Sequence, residues 1–560
     1  MLRAGSVIDY RDSVQESRAA FRYSTWDELP RQWLVAAGAA VLLVHVVFLI
    51  GRTGPGIGPD EFGYLNYSRL FGGQPTSEFL LPFGDTPFYS PGVGLVTFPF
   101  FALFESPVAQ FRSVQAVNLA LLLLTFLAAR WLLRTTLVIS DRRATVAAGV
   151  ALLYPSYVLF SGTSMSETLL LALVTATGAS LGRYLSSARP TWAVLTGLVA
   201  GMTPLAHGRG WVVVLAMVVA AVAMVILLPA RRRSLVVLTG CLLVAIMTTR
   251  LITDVAGAAL YPHPISSGEL AVATVRNPGM YGDMLVRAVG LVWYLLVGSG
   301  ALTALGALFV MSRRREATRE TWIVWLWLAT ALVGCIAVSA AVVTGLQRAD
   351  HFMYGRYVEP FALLFLAAGI AALPELADRR LLARSWLLLS GALIAVLSVS
   401  LYVFVPKAIW SHPLVAINVT GVLGAIKLFG GVQVIWLGGA AIVGMTALVG
   451  LQVLGRYASV VGLVVFFLAA AIPGVQAHKR WAHGGNGYAD RPAAMADLLE
   501  KMGIRKVEVC CAEPLSHLGT PWLASTTAFV ARPGKQWSEQ PGIGLSPDKE
   551  RPRHARVVLP

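Results

Sequence analysis

Long apolar runs constrain this chain more than any other feature of its sequence. Residues 33–50, WLVAAGAAVLLVHVVFLI, contain no acidic residue, lysine or arginine and are long enough to cross the hydrocarbon core of a bilayer. Of the 560 residues, 56% are hydrophobic and only 13% are charged, and the mean hydropathy is +0.68, well outside the range of soluble globular proteins. The sequence therefore predicts an all-α polytopic membrane protein.

Hydropathy over windows of about twenty residues predicts thirteen spans. They lie near 33–50, 113–133, 144–160, 166–182, 191–207, 210–228, 235–253, 287–311, 321–344, 355–373, 385–405, 432–454 and 457–476. The stretch 91–104, PGVGLVTFPFFALF, is short for a span and suits an interfacial or re-entrant helix better. Some thirty polar residues precede the first run and no small-residue cleavage site follows it, so we expect it to be retained.

Arginine positions predict the side of the membrane that each loop occupies. If 91–104 does not cross, alternate loops collect the arginines on one side: Arg130, Arg134, Arg142, Arg143, Arg183, Arg189, Arg231, Arg232, Arg233, Arg313, Arg314, Arg315, Arg319, Arg379, Arg380, Arg384 and Arg456. Short basic loops stay cytoplasmic, so we expect the N-terminus to be cytoplasmic and the C-terminus to lie outside. The net charge of +16 is then mainly a topology signal, and no nucleic-acid partner is expected.

Three regions follow from this topology: a cytoplasmic segment over 1–32, a membrane domain over 33–476 whose long first outer loop is 51–112, and a soluble outer domain over 477–560. Within the last, residues 491–503 predict a helix and 504–511 predict a strand, which together suggest a small α/β unit. The cysteines show no metal-ligand spacing and are expected to pack as core residues: Cys241, Cys335, Cys510 and Cys511.

Ionisable residues gather in the loops that are predicted to lie outside. Asp60 and Glu61 begin the segment DEFGYLNYSRLF about ten residues after the first span, and Glu167 begins the fourth span. Each has a local explanation, because acids favour the first turn of a helix and SMSE could be a helix cap. Helix capping does not explain the cations that share this face.

Two further outer turns carry cations and aromatic residues. TPLAHGRGW contains His207 and Arg209, and LQRADHFMYGRYVEPF contains Arg348, Asp350, His351, Arg356, Tyr357 and Glu359. The positive-inside rule disfavours arginine on this face, and interfacial snorkelling explains one arginine and one tyrosine but not the whole set. A carboxylate can act as a general base and an arginine binds two phosphate oxygens at once, so the set suits sugar transfer from a lipid-linked phosphate.

In order along the chain come a span, an outer loop that opens with Asp-Glu, a short helix-like stretch YSPGVGLVTFPFF, and an acid in SGTSMSE. In this arrangement the chain resembles the GT-C superfamily of integral-membrane glycosyltransferases, in particular the branch of protein O-mannosyltransferases and the lipid A aminoarabinose transferase. The resemblance covers the first 180 residues. Beyond them it rests only on the topology and on Arg356, the arginine of the sequence GRY.

This resemblance implies the GT-C fold and the transfer of a monosaccharide from a polyprenyl-phosphate donor, with inversion, to a hydroxyl group. The catalytic residues that the resemblance implies are Asp60, Glu61 and Glu167. By position, Asp60 matches the catalytic acid of the first loop, Glu61 is its neighbour, and Glu167 matches the second-loop acid that orients acceptor or donor. The residues implied to bind the donor phosphate are Arg356, Arg209, His207 and Tyr357. Oligosaccharyltransferases hold a divalent metal with outer-face acids, but this branch generally does not, so no metal or other cofactor is expected.

The expected partners are the polyprenyl-phosphate sugar, membrane lipids and an acceptor that is a cell-envelope glycan, a lipid or a protein. Richness in Ala, Val and Arg suggests a GC-rich bacterial genome, which favours mannose or arabinose on a decaprenyl carrier. Two alternative functions account for these residues less well. A transporter or lipid flippase would use midplane sites and usually internal repeats, and a membrane scaffold that binds partners through its tail would leave the outer-face acids and arginines unexplained.

Overall fold

The structure is a computed structural model, and it describes residues 30–50, 52, 54–55, 59–74, 76, 89–261, 267–314, 317–411, 414–455, 458–482, 506–510, 528–532 and 544–545. These ranges contain twenty α-helices, joined by turns and 3-10 segments. In chain order they are α1 (Arg31–Leu49), α2 (Pro59–Phe71), α3 (Gly92–Leu103), α4 (Pro107–Leu137), α5 (Asp141–Leu152), α6 (Pro155–Phe160), α7 (Glu167–Ser187), α8 (Pro190–Ala206), α9 (Trp211–Leu227), α10 (Arg232–Leu260), α11 (Ser267–Val275), α12 (Tyr281–Gly298), α13 (Leu302–Ser312), α14 (Arg319–Val343), α15 (Glu359–Ala372), α16 (Arg380–Phe404), α17 (Lys407–Trp410), α18 (Thr420–Leu428), α19 (Val434–Gly450) and α20 (Ala458–Ala482).

Ten helical segments among the described residues are long and apolar enough to cross a membrane. They are Arg31–Leu49, Val108–Leu137, Glu167–Ser187, Gly208–Leu227, Ser234–Leu260, Pro278–Gly298, Arg319–Val343, Arg380–Phe404, Val434–Leu454 and Ala458–Ala477. The prediction of an all-α polytopic membrane protein is therefore confirmed. The sequence predicts thirteen spans, whereas ten meet this criterion of length and composition.

Shorter helices occupy the other three predicted spans. The span predicted at 144–160 is divided into α5 and α6, because Pro155 begins a new helix and has no amide hydrogen with which to continue the first. The one at 191–207 is α8, which has 17 residues and contains Pro204 near its end. The one at 355–373 is α15, whose 14 residues follow a 3-10 turn at Gly355–Tyr357.

A bend divides the predicted span at 287–311 into α12 and α13. Gly300 and Ala301 both have φ of +56°, a left-handed conformation that ends the first helix and redirects the chain. The redirected α13 then lies against α15 at backbone contact. A Cβ atom on Gly306 would lie 1.9 Å from the carbonyl oxygen of Phe365, and one on Gly369 would lie 2.0 Å from that of Leu302. This close approach fixes α15, whose first residue follows the 356–358 turn.

The first outer loop contains two short helices, α2 and α3, which pack on each other. A Cβ atom on Gly94 of α3 would lie 2.5 Å from Cβ of Tyr67 in α2, so the glycine allows direct contact between the two helices. Gly92 comes equally close to the end of α8, where its Cβ atom would lie 2.4 Å from the carbonyl oxygen of Leu205. These contacts place α3 between Tyr67 of α2 and the end of α8.

Basic loops that the sequence predicts on one side meet at one carboxylate. Arg143, Arg313 and Arg379 contact the carboxylate of Glu375 at 2.5, 2.7 and 2.8 Å, respectively. Glu375 follows the last residue of α15, whereas Arg356 precedes its first. At about 1.5 Å per residue, the 14 residues of α15 separate this arginine cluster from Arg356 by roughly 20 Å. The two groups of arginines therefore lie at opposite ends of α15.

Three strands are described in the C-terminal region: β1 (Lys506–Cys510), β2 (Ala528–Arg532) and β3 (Gly544–Leu545). They form one parallel sheet in the order β2-β1-β3. β1 lies within the strand predicted at 504–511. The predicted helix over 491–503 and Cys511 lie outside the described residues, so the α/β unit stays a prediction. Cys241 and Cys335 are free thiols, and Cys335 is buried.

Candidate active site

Asp60 lies in the first turn of α2 and uses both of its carboxylate oxygens in contacts with distant parts of the chain. Oδ2 accepts a hydrogen bond of 2.6 Å from Nη2 of Arg356, and Oδ1 accepts one of 3.0 Å from the hydroxyl of Tyr89. Its side chain is 26% exposed, whereas that of Arg356 is 6% exposed. Asp60 therefore does more than favour the start of α2. It also forms a long-range ion pair with Arg356, and it is the more exposed of the two partners.

Glu61 points away from Asp60 and belongs to a buried structural contact. Its carboxylate accepts hydrogen bonds of 2.8 and 3.1 Å from Nη2 of Arg52. It also accepts bonds of 2.8 and 3.0 Å from the backbone amide and the hydroxyl of Ser164. Burial lowers the pKa of Arg52 from its ordinary value, and the adjacent Glu61 charge opposes that shift. Glu61 thus joins α2 to the end of α1 and to the turn before α7.

Glu167, at the start of α7, is buried between two arginines. Nε of Arg356 lies 3.2 Å from its Oε1, as an ion pair without hydrogen-bond geometry, and Nη2 of Arg209 lies 3.8 Å from the same oxygen. Its Oε2 has no hydrogen-bond partner among the described residues. The structure therefore brings the sequence-predicted Asp60, Glu167, Arg209 and Arg356 together from four separate segments of the chain.

The turn between α8 and α9 contributes His207 and Arg209, which lie beside Tyr357. The guanidinium carbon of Arg209 is 3.6 Å from the centre of the Tyr357 ring, a cation–π contact. Its Nη2 lies 2.7 Å from Nε2 of His207, and its Nη1 donates to the carbonyl oxygen of Arg356 at 3.4 Å. All four residues predicted to bind phosphate thus form one continuous group.

A cavity of about 570 Å³ opens beside this group. Its polar lining includes His207, Arg209 and Tyr357, together with Arg250, Asp254 and Glu269 from α10 and α11. The rest of its wall includes apolar side chains, among them Trp211, Val212, Val338 and Val342. Its volume falls within the range of small-molecule sites, and its mixture of cations and apolar surface suits a ligand with a charged and an apolar part.

Other residues of the 345–359 segment have separate roles. Arg348 forms an ion pair of 2.7 Å with Asp350, which also accepts a hydrogen bond of 2.7 Å from Asn418. Glu359 accepts hydrogen bonds of 2.5 and 2.6 Å from the hydroxyls of Ser156 and Tyr294.

His351 stacks on Tyr354 with ring centres 5.8 Å apart. Burial lowers the pKa of its imidazole to about 4, and the charge of Arg348 acts in the same direction. His351 is therefore neutral at physiological pH and adds no charge to the site.

Sequence reasoning missed two residues that bind the acids of the first outer loop: Tyr89, which bonds to Asp60, and Arg52, which bonds to Glu61. Arg52 immediately follows the first span, so the same positive-inside argument that identified Arg209 and Arg356 could have found it. Tyr89 carries no comparable signal, because its bond to Asp60 joins residues that are 29 positions apart. Among the described residues, no group of three or more His, Cys, Asp and Glu side chains is arranged to hold a metal ion.

Known structures identify the architecture that holds this site. The structure of ArnT from Cupriavidus metallidurans bound to undecaprenyl phosphate aligns over 90% of this chain and 86% of its own, with a TM-score of 0.51 and 17% identity. This chain has the GT-C fold. The predicted GT-C fold is thus confirmed.

Two further structures resemble this chain more weakly. The apo form of the same ArnT aligns over the same 90% and 86%, with a TM-score of 0.46 and 16% identity. Arabinosyltransferase EmbB from Mycobacterium smegmatis aligns over 86% of this chain and 45% of its own, with a TM-score of 0.43 and 16% identity. No protein-family model and no curated protein sequence matches the chain.

Proposed function

We propose that this chain is a glycosyltransferase that moves a monosaccharide from a polyprenyl-phosphate donor to a hydroxyl group, with inversion at the anomeric carbon. The sugar is mannose or arabinose, and the acceptor is a cell-envelope glycan, a lipid or a protein. The reaction takes place on the outer face of the membrane, with the N-terminus in the cytoplasm and the C-terminus outside. No metal is assigned to the reaction.

One observation carries the proposal: ion pairs link the partly exposed carboxylate of Asp60 to two buried arginines, and one of these, Arg209, lines a cavity that also has apolar walls. A carboxylate alone would suit many reactions, and arginines alone would suit any anion. Their combination at one end of a bundle of apolar helices suits a donor that has a phosphate and is delivered through the membrane. A transporter site would be expected nearer the midplane of the spans, so the position of the cluster favours the transferase.

In the proposed step, Asp60 accepts the proton of the acceptor hydroxyl. The acceptor oxygen then forms a bond to the anomeric carbon, while the bond between that carbon and the phosphate oxygen breaks. The electron pair of the broken bond stays on the phosphate, which leaves as polyprenyl phosphate. A nearby arginine stabilises this negative charge, because charge that develops in the transition state is where fixed cations contribute most.

Transfer of labelled sugar tests the proposal directly. Purified protein in lipid nanodiscs is incubated with decaprenyl-phosphate mannose or decaprenyl-phosphate arabinose, each labelled in the sugar. Membranes from a strain that lacks this protein supply the acceptor. We expect one of the two labels to enter the membrane glycan, lipid or protein fraction, with an equal amount of decaprenyl phosphate released. If neither label is transferred and decaprenyl phosphate does not bind, the proposed function is wrong.

A further inference from the structure

The two arginines of the site have different surroundings. Every nitrogen of the Arg356 guanidinium faces a protein atom: Nη2 donates to Asp60 at 2.6 Å, Nε faces Glu167 at 3.2 Å, and Nη1 donates to Sδ of Met165 at 3.8 Å. Arg356 is buried and, among the described residues, does not line the cavity. Its charge is shared between two carboxylates.

Arg209, by contrast, lines the cavity. Its near neighbours are neutral groups, namely the His207 imidazole, the Tyr357 ring and the carbonyl oxygen of Arg356. The carboxylate of Glu167 is 3.8 Å away, farther than a hydrogen bond. An anion that enters the cavity would therefore meet a cation whose charge is less compensated than that of Arg356.

We propose that these arginines divide the work of the site, with Arg209 binding the donor phosphate at the cavity and Arg356 acting as a positioning residue that holds Asp60 through their ion pair. This inference rests on the proposed function and refines it. Glu167 is the common anchor, because its Oε1 contacts both guanidinium groups.

Electrostatics favour this division over phosphate binding by Arg356. A phosphate could bind Arg356 only by displacing Asp60 or Glu167, and it would then lie beside the displaced carboxylate, which repels it. Displacement of Asp60 would also release the general base from its charged partner at the moment of reaction. Binding at Arg209 displaces only the neutral imidazole of His207 and leaves the ion pair between Asp60 and Arg356 intact.

Lysine substitutions test the division, because lysine keeps the charge and loses the planar fork. The first measurement is the Kd for decaprenyl phosphate in nanodiscs, which does not depend on the identity of the sugar, and the second is kcat and KM for donor. We expect Arg209→Lys to raise Kd and KM about 10-fold, the scale of one lost charge-assisted hydrogen bond. Arg356→Lys should leave Kd within about 2-fold and lower kcat by about 10- to 100-fold, as expected for a misplaced base.

Arg348→Lys is the matched control. Arg348 lies in the same segment as Arg356 and also pairs with an aspartate, Asp350, but it contacts neither Asp60 nor the cavity. We expect its Kd and kcat to match those of the wild type. An equal rise of Kd in Arg356→Lys and Arg209→Lys would show that both arginines bind phosphate, and the division would be wrong.

A second variant keeps the test decisive if Arg356→Lys does not fold. Asp60→Asn removes the charge that competes for Arg356. If Arg356 binds phosphate, decaprenyl phosphate should bind about 10-fold more tightly to this variant, because the guanidinium becomes available. Under the proposed division, Kd changes by less than about 3-fold. If the wild-type protein neither binds decaprenyl phosphate nor transfers sugar, the proposed function itself is wrong. That outcome differs from both Kd results expected for Asp60→Asn.

Discussion

At the residue scale, Asp60 is the side chain on which the proposed chemistry depends. Asn has nearly the same size and is a comparable helix cap, so Asp60→Asn separates the two explanations of this residue. As a general base, Asp60 should be needed for turnover, and the variant should lose about 100-fold or more in kcat with saturating donor. Near-normal turnover at wild-type protein level would leave Asp60 as a helix-start acid and make Glu167 the candidate base.

Its neighbour Glu61 is expected to act on stability instead. Glu61→Gln leaves the buried Arg52 without its ion-pair partner, and breaking a buried pair in this way costs about 3 kcal/mol. We expect a lower Tm in detergent and, below that temperature, a kcat close to the wild-type value. Glu105→Gln, at an exposed acid of the same outer loop, is the control and should leave Tm unchanged. A large loss of kcat with normal Tm would place Glu61 in the catalytic machinery.

At the element scale, the contact between α13 and α15 holds the helix that follows Arg356. Gly369→Ala would place a Cβ atom 2.0 Å from the carbonyl oxygen of Leu302, so the two helices must separate. We expect a loss of about 1–3 kcal/mol in the free energy of unfolding, the usual cost of overpacking. Gly391 lies within α16, and a Cβ atom added there would meet no neighbouring atom within 4 Å. Gly391→Ala should therefore stabilise the protein by up to about 1 kcal/mol.

Thermal unfolding of the two glycine variants, followed by tryptophan fluorescence in one detergent, measures this difference. Equal stability of Gly369→Ala and Gly391→Ala would show that α13 and α15 do not approach each other as described.

At the scale of the whole molecule, the proposed chemistry requires that the site and the arginine cluster face different compartments. The ion pairs at Glu375 and those at Arg356 lie at opposite ends of α15, and the positive-inside rule assigns the Glu375 end to the cytoplasm. A reporter fused after Gly484 should therefore be accessible from outside, and one inserted after Arg314 should be active in the cytoplasm. If both reporters lie in the same compartment, the site cannot be assigned to the outer face by this topology.

The sequence by itself determined the features that depend on short stretches of chain. Apolar windows identified the membrane helices, and the Pro59, Asp60 and Glu61 series predicted the start of α2, because hydropathy and helix-start preferences act over a few residues. The polar outer turns also indicated Glu167, Arg209 and Arg356 as site residues. Composition could not separate full spans from α5, α8 and α15, since proline breaks and turns shorten these helices within equally apolar sequence.

Only the tertiary structure decided which of these residues meet. Asp60 and Arg356 are 296 positions apart, and no periodicity in a sequence relates residues at that distance. The adjacent acids Asp60 and Glu61 look equivalent in sequence, yet neighbouring helical positions project about 100° apart, so one faces Arg356 and the other faces Arg52. The packing of α2 against α3 and α8, and of α13 against α15, fixes those directions, because close backbone contacts allow each helix only one orientation.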